Sequence, residues 1–145
     1  EVLTIASIIE REAKVPEDRA KISRVIYNRL SLGMPLEIDA TLFYKQNTDL
    51  PFLELKAIDS PYNTYLFTGL PPTPISNPGR AAINAALNPA PNPSSGDPIC
   101  REITDSSPCS YLYYVLSDKD GRHVFAASLA QHQINVQAAI VAGVL

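Results

Sequence analysis

YLYYVLSDKDGRHVFAASLAQ, from Tyr111 to Gln131, holds the pattern that decides the fold class. YLYYVL is rich in aromatic and β-branched residues, which is typical of a strand, and DKDGR is typical of a turn. HVFAA has the composition of the returning strand, so we expect an antiparallel hairpin over residues 111–127. Ser128, followed three residues later by Gln131, matches a capping box and predicts a helix directly after the hairpin.

The rest of the chain is mainly helical by its apolar spacing. This spacing predicts helices over residues 2–14 and from Pro16 to Gly33, and GRAAINAALNP predicts a third that ends at Asn88. SPYNTYLFTGLPPTPISNPG, at residues 60–79, is a long loop rich in turn-forming residues. We therefore predict a mainly helical α+β fold with a small antiparallel sheet, in one domain over residues 1–145.

The composition limits the class of protein. The chain has 145 residues, of which 46% are hydrophobic and 19% charged, so it can bury a sizeable core. Its net charge of -3 argues against a partner that is bound through nucleic-acid phosphates. No apolar run reaches the roughly 18 residues that span a membrane. Because the chain begins inside a predicted helix, we expect it to be part of a longer protein.

Two cysteines, Cys100 and Cys109, lie in a segment rich in proline and serine at about residues 90–110. Their spacing does not match a CxxC metal or redox motif. A disulfide that closes a small loop would suit an exported protein, and we predict it here. The alternative is two free thiols in a loop.

IASIIEREA, from Ile5 to Ala13, places two carboxylates in an apolar stretch. On a helical wheel Glu10 and Glu12 both fall within the apolar arc, on opposite edges of it. A carboxyl group among apolar side chains has a raised pKa, which a general acid needs near neutral pH. The alternative is a surface position, where Glu10 would pair with Lys14. The wheel does not choose between the two carboxylates, and it sets them too far apart to act as a close pair.

Other polar residues are weaker candidates for a site. Asp39 could supply a further carboxylate, although capping the turn after it explains this residue better on position alone. His123 and His132 are the only histidines, and their spacing fits no helical HxxxH metal site. No GxSxG motif or Gly-rich phosphate loop is present, so serine-hydrolase and nucleotide chemistry are unsupported.

The YNTY motif at residues 62–65 suits a carbohydrate. Flat aromatic faces stack on sugar rings, and amides and hydroxyls form hydrogen bonds with sugar hydroxyls. The alternative is an ordinary packed loop, which the same composition fits equally well.

Six segments follow one another along the chain: ASIIEREA, VIYNRLSLGMPLEIDAT, SPYNTYLFTGLPPTPISNPG, AAINAALNPA, YLYYV and HVFAASLAQH. In this order they resemble the endolytic murein transglycosylase family, also called MltG or YceG-like. The resemblance covers nearly the whole chain, and its most specific motif is YNTY-x3-GLPP-x-PI-x-NPG. The chain departs from the family at residues 90–110, where many relatives have only a few residues.

The resemblance implies an enzyme, a lytic transglycosylase of peptidoglycan. Such a lyase cleaves the β-1,4 bond between N-acetylmuramic acid and N-acetylglucosamine and leaves a 1,6-anhydromuramoyl end, without a metal or cofactor. It implies Glu10 as the catalytic acid, because the family motif A-S-I-[IV]-E ends at this position. Together with the patterns above, it predicts a substrate-binding set of Glu12, Asp39, Tyr62, Asn63, Thr64, Tyr65, Asn77 and His123.

The resemblance also implies a setting. We expect the ligand to be bacterial peptidoglycan glycan strands, the partners to be peptidoglycan synthases (penicillin-binding proteins), and the result to be the end of strand growth. We expect a place in the cell envelope, at the outer face of the cytoplasmic membrane, through an N-terminal anchor outside this sequence. Three alternatives remain: a non-catalytic peptidoglycan-binding module, a hydrolase that uses Glu10 with Asp39, and a metal enzyme that uses His123 with His132.

Overall fold

The computed structural model describes residues 1–104 and 107–145, and within them the chain forms short helices around one hairpin. The α-helices are α1 (Val2–Glu12), α2 (Arg19–Leu32), α3 (Asp39–Phe43), α4 (Phe52–Lys56), α5 (Arg80–Leu87) and α6 (Leu129–Val141). The strands are β1 (Tyr113–Leu116) and β2 (His123–Ala126), and single 3₁₀ turns cover Pro16–Asp18 and Pro98–Cys100. The predicted α+β class is therefore confirmed.

The hairpin and the helix after it form where the sequence predicts them. β1 and β2 pair antiparallel, with Tyr113 opposite Ala126 at one end of the ladder. The side chain of Ser128 accepts a hydrogen bond of 3.2 Å from the N–H of Gln131, as a capping residue does at the start of α6. α2 ends at Gly33, whose φ of 69° is the left-handed conformation that a glycine adopts without strain.

Helix α1 is the centre of the core, and it packs against α2 and α5. Its residues from Thr4 to Ile9 are all buried. Thr4 and Ser7 are polar residues within this buried stretch, and the 60–79 loop covers Ser7. Ser7 Oγ accepts a hydrogen bond of 2.9 Å from the N–H of Ile75 in this loop, so its polarity is satisfied inside the core.

The 60–79 loop is held by two buried residues of the YNTY motif. The Asn63 amide donates to the carbonyls of Lys56 (2.8 Å) and Ile58 (2.9 Å), and its oxygen accepts from the N–H of Tyr65 (2.9 Å). Thr64 Oγ1 accepts a hydrogen bond of 2.9 Å from the N–H of Ile38. The loop is thereby fixed to the segment just before α3, which sets where α3 begins.

The Pro/Ser/Cys insertion lies against the outside of the same core. Ile99 packs on the core cluster, and Cys100 is buried. The sulfur atoms of Cys100 and Cys109 are 2.09 Å apart, which is disulfide bonding distance. Asp105 and Ser106, which belong to the predicted insertion, lie outside the described residues.

The helices among the described residues are short. None of them is both long enough and apolar enough to pass through a membrane.

Candidate active site

A two-part cleft runs past the end of α1, between α3 and the hairpin. Its larger part has a volume of about 770 Å³ and its smaller part about 310 Å³; we call them the wide half and the narrow half. The residues that line both halves are Glu12, Asp39, Leu116 and His123. These residues therefore form the waist where the two halves meet, so a chain-like ligand in the cleft would pass directly over them.

Glu12 is the half-buried carboxylate at this waist. It is the last residue of α1, and its Oε1 accepts a hydrogen bond of 2.6 Å from the hydroxyl of Tyr114 on β1. Burial raises the pKa of Glu12, and the nearby charge of Asp39 raises it further, whereas the Tyr114 hydrogen bond lowers it. A carboxyl group whose pKa is raised keeps its proton to higher pH, which is the state that a general acid needs.

Glu10, the acid that the motif predicts, points elsewhere. It is exposed and lines neither half of the cleft. Its Oε1 accepts a hydrogen bond of 2.7 Å from the N–H of Gly79, at the start of α5. A Cβ atom on residue 79 would lie 3.2 Å from that oxygen, so a glycine allows the close approach. The expectation that Glu10 lies in apolar surroundings is therefore wrong.

Rotation along the helix explains the difference between the two carboxylates. Residues two apart on an α-helix are separated by about 200°, so Glu10 and Glu12 leave α1 in nearly opposite directions. The start of α5 contacts the side of α1 that carries Glu10, and the hairpin contacts the side that carries Glu12. Glu12 is thus the one that the fold buries.

Asp39, at the start of α3, adds a second carboxylate to the waist. Its Oδ1 accepts a short hydrogen bond of 2.5 Å from the hydroxyl of Tyr65. Burial and this bond to Asp39 raise the pKa of Tyr65, so the phenol stays protonated and acts as a donor. Asp39 is exposed, whereas Tyr65 is half-buried beside it in the narrow half. The structure thus brings together two residues of the predicted set.

His123 lies at the waist with two partners that the sequence interpretation missed. Asp18 Oδ2 accepts from the backbone N–H of His123 (2.8 Å) and lies 3.0 Å from its Nδ1. The two side chains are only 8% and 9% exposed, so this is a buried pair. The Tyr114 ring meets the His123 ring edge-on at 5.4 Å. In the sequence, Asp18 resembles any acidic residue in the first turn of a helix, and Tyr114 resembles any aromatic residue of a strand, so neither gave a signal for a site.

The other predicted sugar-binding residues take different positions. Asn63 and Thr64 are each only 2% exposed, and their polar atoms are used inside the loop, which is a correction to the predicted site. The Tyr62 hydroxyl shares a hydrogen bond of 2.8 Å with Thr73 Oγ1, and its ring lies 4.9 Å from that of Tyr44. Asn77 is exposed and lines neither half of the cleft.

His132 lines the narrow half and stacks on Tyr113, with ring centroids 5.0 Å apart. Burial lowers its pKa, and the nearby charge of Arg29 lowers it further. Across residues 1–104 and 107–145, no group of three His, Cys, Asp or Glu side chains lies close enough to hold a metal ion.

Comparison with known proteins links this chain to longer ones. The model of the YceG-like family matches residues 1–138. An endolytic murein transglycosylase of Bacillus subtilis is 42% identical over 134 residues, which are 90% of this chain and 32% of that protein. One of Streptococcus pneumoniae serotype 2 is 33% identical over 143 residues, which are 94% of this chain and 23% of that protein.

A solved structure extends the comparison to three dimensions. The crystal structure of a YceG-like protein from Listeria monocytogenes matches with a TM-score of 0.73 at 37% identity, over 92% of this chain and 38% of that one. The chain therefore spans well under half the length of each of these proteins.

Proposed function

The chain belongs to the YceG-like family, and on that premise we propose that it is the catalytic domain of an endolytic murein transglycosylase. It cleaves the β-1,4 bond between N-acetylmuramic acid and N-acetylglucosamine within peptidoglycan strands and leaves a 1,6-anhydromuramoyl end. The observation that carries the proposal is Glu12, a carboxyl group with a raised pKa at the waist of the cleft. A cleft that continues on both sides of the acid suits cleavage inside a strand.

Glu12, rather than Glu10, is the acid in this proposal. Glu12 donates its proton to the glycosidic oxygen, the bond from that oxygen to C1 of the muramoyl sugar breaks, and an oxocarbenium-like sugar forms. The Glu12 carboxylate then accepts the proton of the C6 hydroxyl as that oxygen bonds to C1. The enzyme returns to its protonated state, and no water is consumed.

The other residues at the waist support these steps. The Asp39 carboxylate, oriented by Tyr65, places negative charge where the oxocarbenium charge develops. Tyr114 fixes the Glu12 side chain through its hydrogen bond. The nucleophile belongs to the substrate, so holding the sugar in one geometry supplies much of the rate through proximity.

A second candidate function is favoured by one observation: Asp39 lines both halves of the cleft next to Glu12. A hydrolase uses two carboxylates, the second to activate a water or to attack C1. Glu12 with Asp39 would form such a pair, in place of the predicted pair of Glu10 with Asp39.

Digestion of purified sacculi in ¹⁸O-labelled water separates these functions. We expect mass spectrometry to show anhydromuramoyl ends that contain no ¹⁸O, and the Glu12→Gln variant to release almost none. Reducing ends that carry ¹⁸O would show the hydrolase instead. Sacculi that are bound but released unchanged would show the non-catalytic peptidoglycan-binding module.

The setting of the enzyme follows from its substrate. We place the protein in the cell envelope, at the outer face of the cytoplasmic membrane, beside the synthases whose strands it would end. The name of the relatives supports the peptidoglycan substrate. Cross-linking of the full-length protein in growing cells should capture penicillin-binding proteins, and capture of cytoplasmic proteins alone would contradict this location.

A further inference from the structure

We propose that the wide half of the cleft binds carboxylate groups carried on the lactyl arms of muramic acid, an inference that rests on the function proposed above. Each lactyl arm in peptidoglycan holds a short stem peptide with free carboxylates, or a carboxylate of its own where the peptide has been removed. Either source presents the same chemistry beside the glycan chain.

The wide half has cationic walls on two sides. Arg11 lies in the last turn of α1 and Lys14 just after that helix, whereas Lys45 follows α3, so the charges come from two separate parts of the chain. The carboxylates in the lining of this half are Glu12 and Asp39, which belong to the waist. This cluster of three positive charges contrasts with the chain as a whole, whose net charge is -3. Such a wall attracts anionic groups.

These cations keep their charge for a ligand, although Lys14 Nζ also donates a hydrogen bond of 3.3 Å to the Arg11 carbonyl. Among the described residues, the ion pairs do not include Arg11, Lys14 or Lys45. In the narrow half, by contrast, Arg29 already has partners within the protein. Its Nη1 lies 3.8 Å from Glu37 Oε2, and its Nε donates a hydrogen bond of 2.7 Å to the Leu112 carbonyl. The two halves of the cleft therefore differ in the positive charge that they offer to a glycan strand.

Lys45 is the most strongly positioned of the three cations. Its φ of 59° is a left-handed conformation that a residue with a Cβ rarely adopts, and such strain is concentrated at functional sites. Its ammonium lies 5.4 Å from the ring centroid of Tyr44 and 5.9 Å from that of Tyr62. The two rings hold the charge by cation–π contacts at the wall of the wide half. This gives Tyr62 a positioning role behind the cleft.

Binding to the Glu12→Gln protein tests the proposal without requiring cleavage. Three ligands are compared: uncharged chitin oligosaccharides, glycan strands stripped of peptides by an amidase, and strands that keep their stem peptides. We expect Lys45→Gln to weaken binding of the carboxylate-bearing strands about fivefold, the upper range for one exposed ion pair. Binding of the chitin oligosaccharides should not change. Added salt should reduce the difference, because it screens exposed charges.

Lys21 supplies a matched control. Its ammonium lies 5.6 Å and 5.5 Å from the ring centroids of Tyr111 and Phe125, but it lines neither half of the cleft. Lys21→Gln therefore removes the same charge and the same kind of ring contact, and all three ligands should bind as before. Lys45→Asn is a second variant, since asparagine tolerates the left-handed conformation and removes the charge without adding strain.

The outcomes are distinct. Equal weakening of all three ligands by Lys45→Gln, no weakening of any, or an equal effect of Lys21→Gln would overturn the proposal. A larger loss with peptide-bearing strands assigns the site to the stem peptide, and an equal loss with both strands assigns it to the lactyl carboxylate. Because binding is measured in an inactive variant, failure here leaves the sacculi digestion unaffected, and the reverse also holds.

Discussion

The hydroxyl of Tyr114 donates a 2.6 Å hydrogen bond to Glu12 Oε1 and so ties β1 to the last residue of α1. Burial raises the pKa of Tyr114 well above its ordinary value, and the charge of Glu12 raises it further, so the phenol remains a donor. The bond favours the ionised form of Glu12, whereas burial favours the protonated form. The protonation state of Glu12 therefore depends on the balance between these two effects.

Tyr114→Phe removes the hydrogen bond that favours the ionised form of Glu12 and leaves the effect of burial. The pKa of Glu12 should rise further, and the alkaline limb of the pH profile of kcat/KM should move to higher pH. The loss of orientation should lower kcat about tenfold, within the range of a positioning hydrogen bond to a charged group. Tyr113→Phe is the control, because that ring stacks on His132 instead. An unmoved alkaline limb in Tyr114→Phe would contradict the assignment of Glu12 as the acid.

Paired glutamine variants separate the two carboxylates of α1. Glu12→Gln should lower the rate of anhydromuramoyl release about 10²- to 10⁴-fold, since it lacks the proton that a general acid donates. Glu10→Gln keeps an oxygen that accepts from the Gly79 N–H, and it should stay close to the wild-type rate. It should lose about 0.3–1 kcal/mol of stability, because a negative charge at the N-terminus of α5 is removed. Rates and thermal unfolding measure both effects, and the opposite order of activity would restore Glu10 as the acid.

Patterns set by neighbouring residues were predictable from the sequence. The hairpin, the Ser128 cap and the stop of α2 at Gly33 each depend on residues within a few positions, and all of them form as expected. The choice between Glu10 and Glu12 depends instead on what covers each edge of α1. Tyr114 reaches Glu12 across 102 positions, and Asp18 reaches His123 across 105 positions. A helical wheel contains no information on such contacts.

The YNTY motif is a second case in which the sequence alone does not decide the role of each residue. Its composition fits a sugar site and a packed loop equally well, and the fold divides the motif between the two. Asn63 and Thr64 are buried and hold the loop, whereas Tyr65 reaches Asp39 at the waist. Which side chains of a polar loop turn inward is decided by the backbone groups that need partners, here those of residues 38, 56 and 58.

The raised pKa of Glu12 also predicts how stability depends on pH. Above the ordinary value of 4.5, the folded protein holds a proton at Glu12 that the unfolded chain releases, so this residue lowers the free energy of unfolding as pH rises. Glu12→Gln removes the effect. The variant should be more stable than the wild type at pH 8 and similar to it at pH 4. Urea unfolding at both pH values measures this, and a Glu12→Gln variant that is less stable at pH 8 would contradict it.

Loss of the Cys100–Cys109 link should affect stability and spare activity. The bond would close a loop with a sequence separation of 9, and a loop of this size corresponds to about 2–3 kcal/mol of stabilisation. The described residues of this segment line neither half of the cleft. A Cys100→Ser/Cys109→Ser variant should therefore unfold at lower temperature yet release anhydromuramoyl ends at the wild-type rate. A large loss of activity at a temperature where the variant is folded would show that the insertion shapes the site.

Asp39→Asn tests the second carboxylate of the waist and distinguishes its two roles. The variant still accepts the Tyr65 hydrogen bond, but it loses the charge that helps to raise the pKa of Glu12. The alkaline limb of the pH profile should therefore move to lower pH. The rate should fall about 10- to 100-fold, because the oxocarbenium charge loses one stabilising partner. The remaining product should still be the anhydromuramoyl end, since its nucleophile comes from the sugar. If Asp39→Asn instead changes the product from ¹⁸O-labelled reducing ends to anhydro ends, Asp39 is the base that activates water, and the wild-type enzyme is a hydrolase.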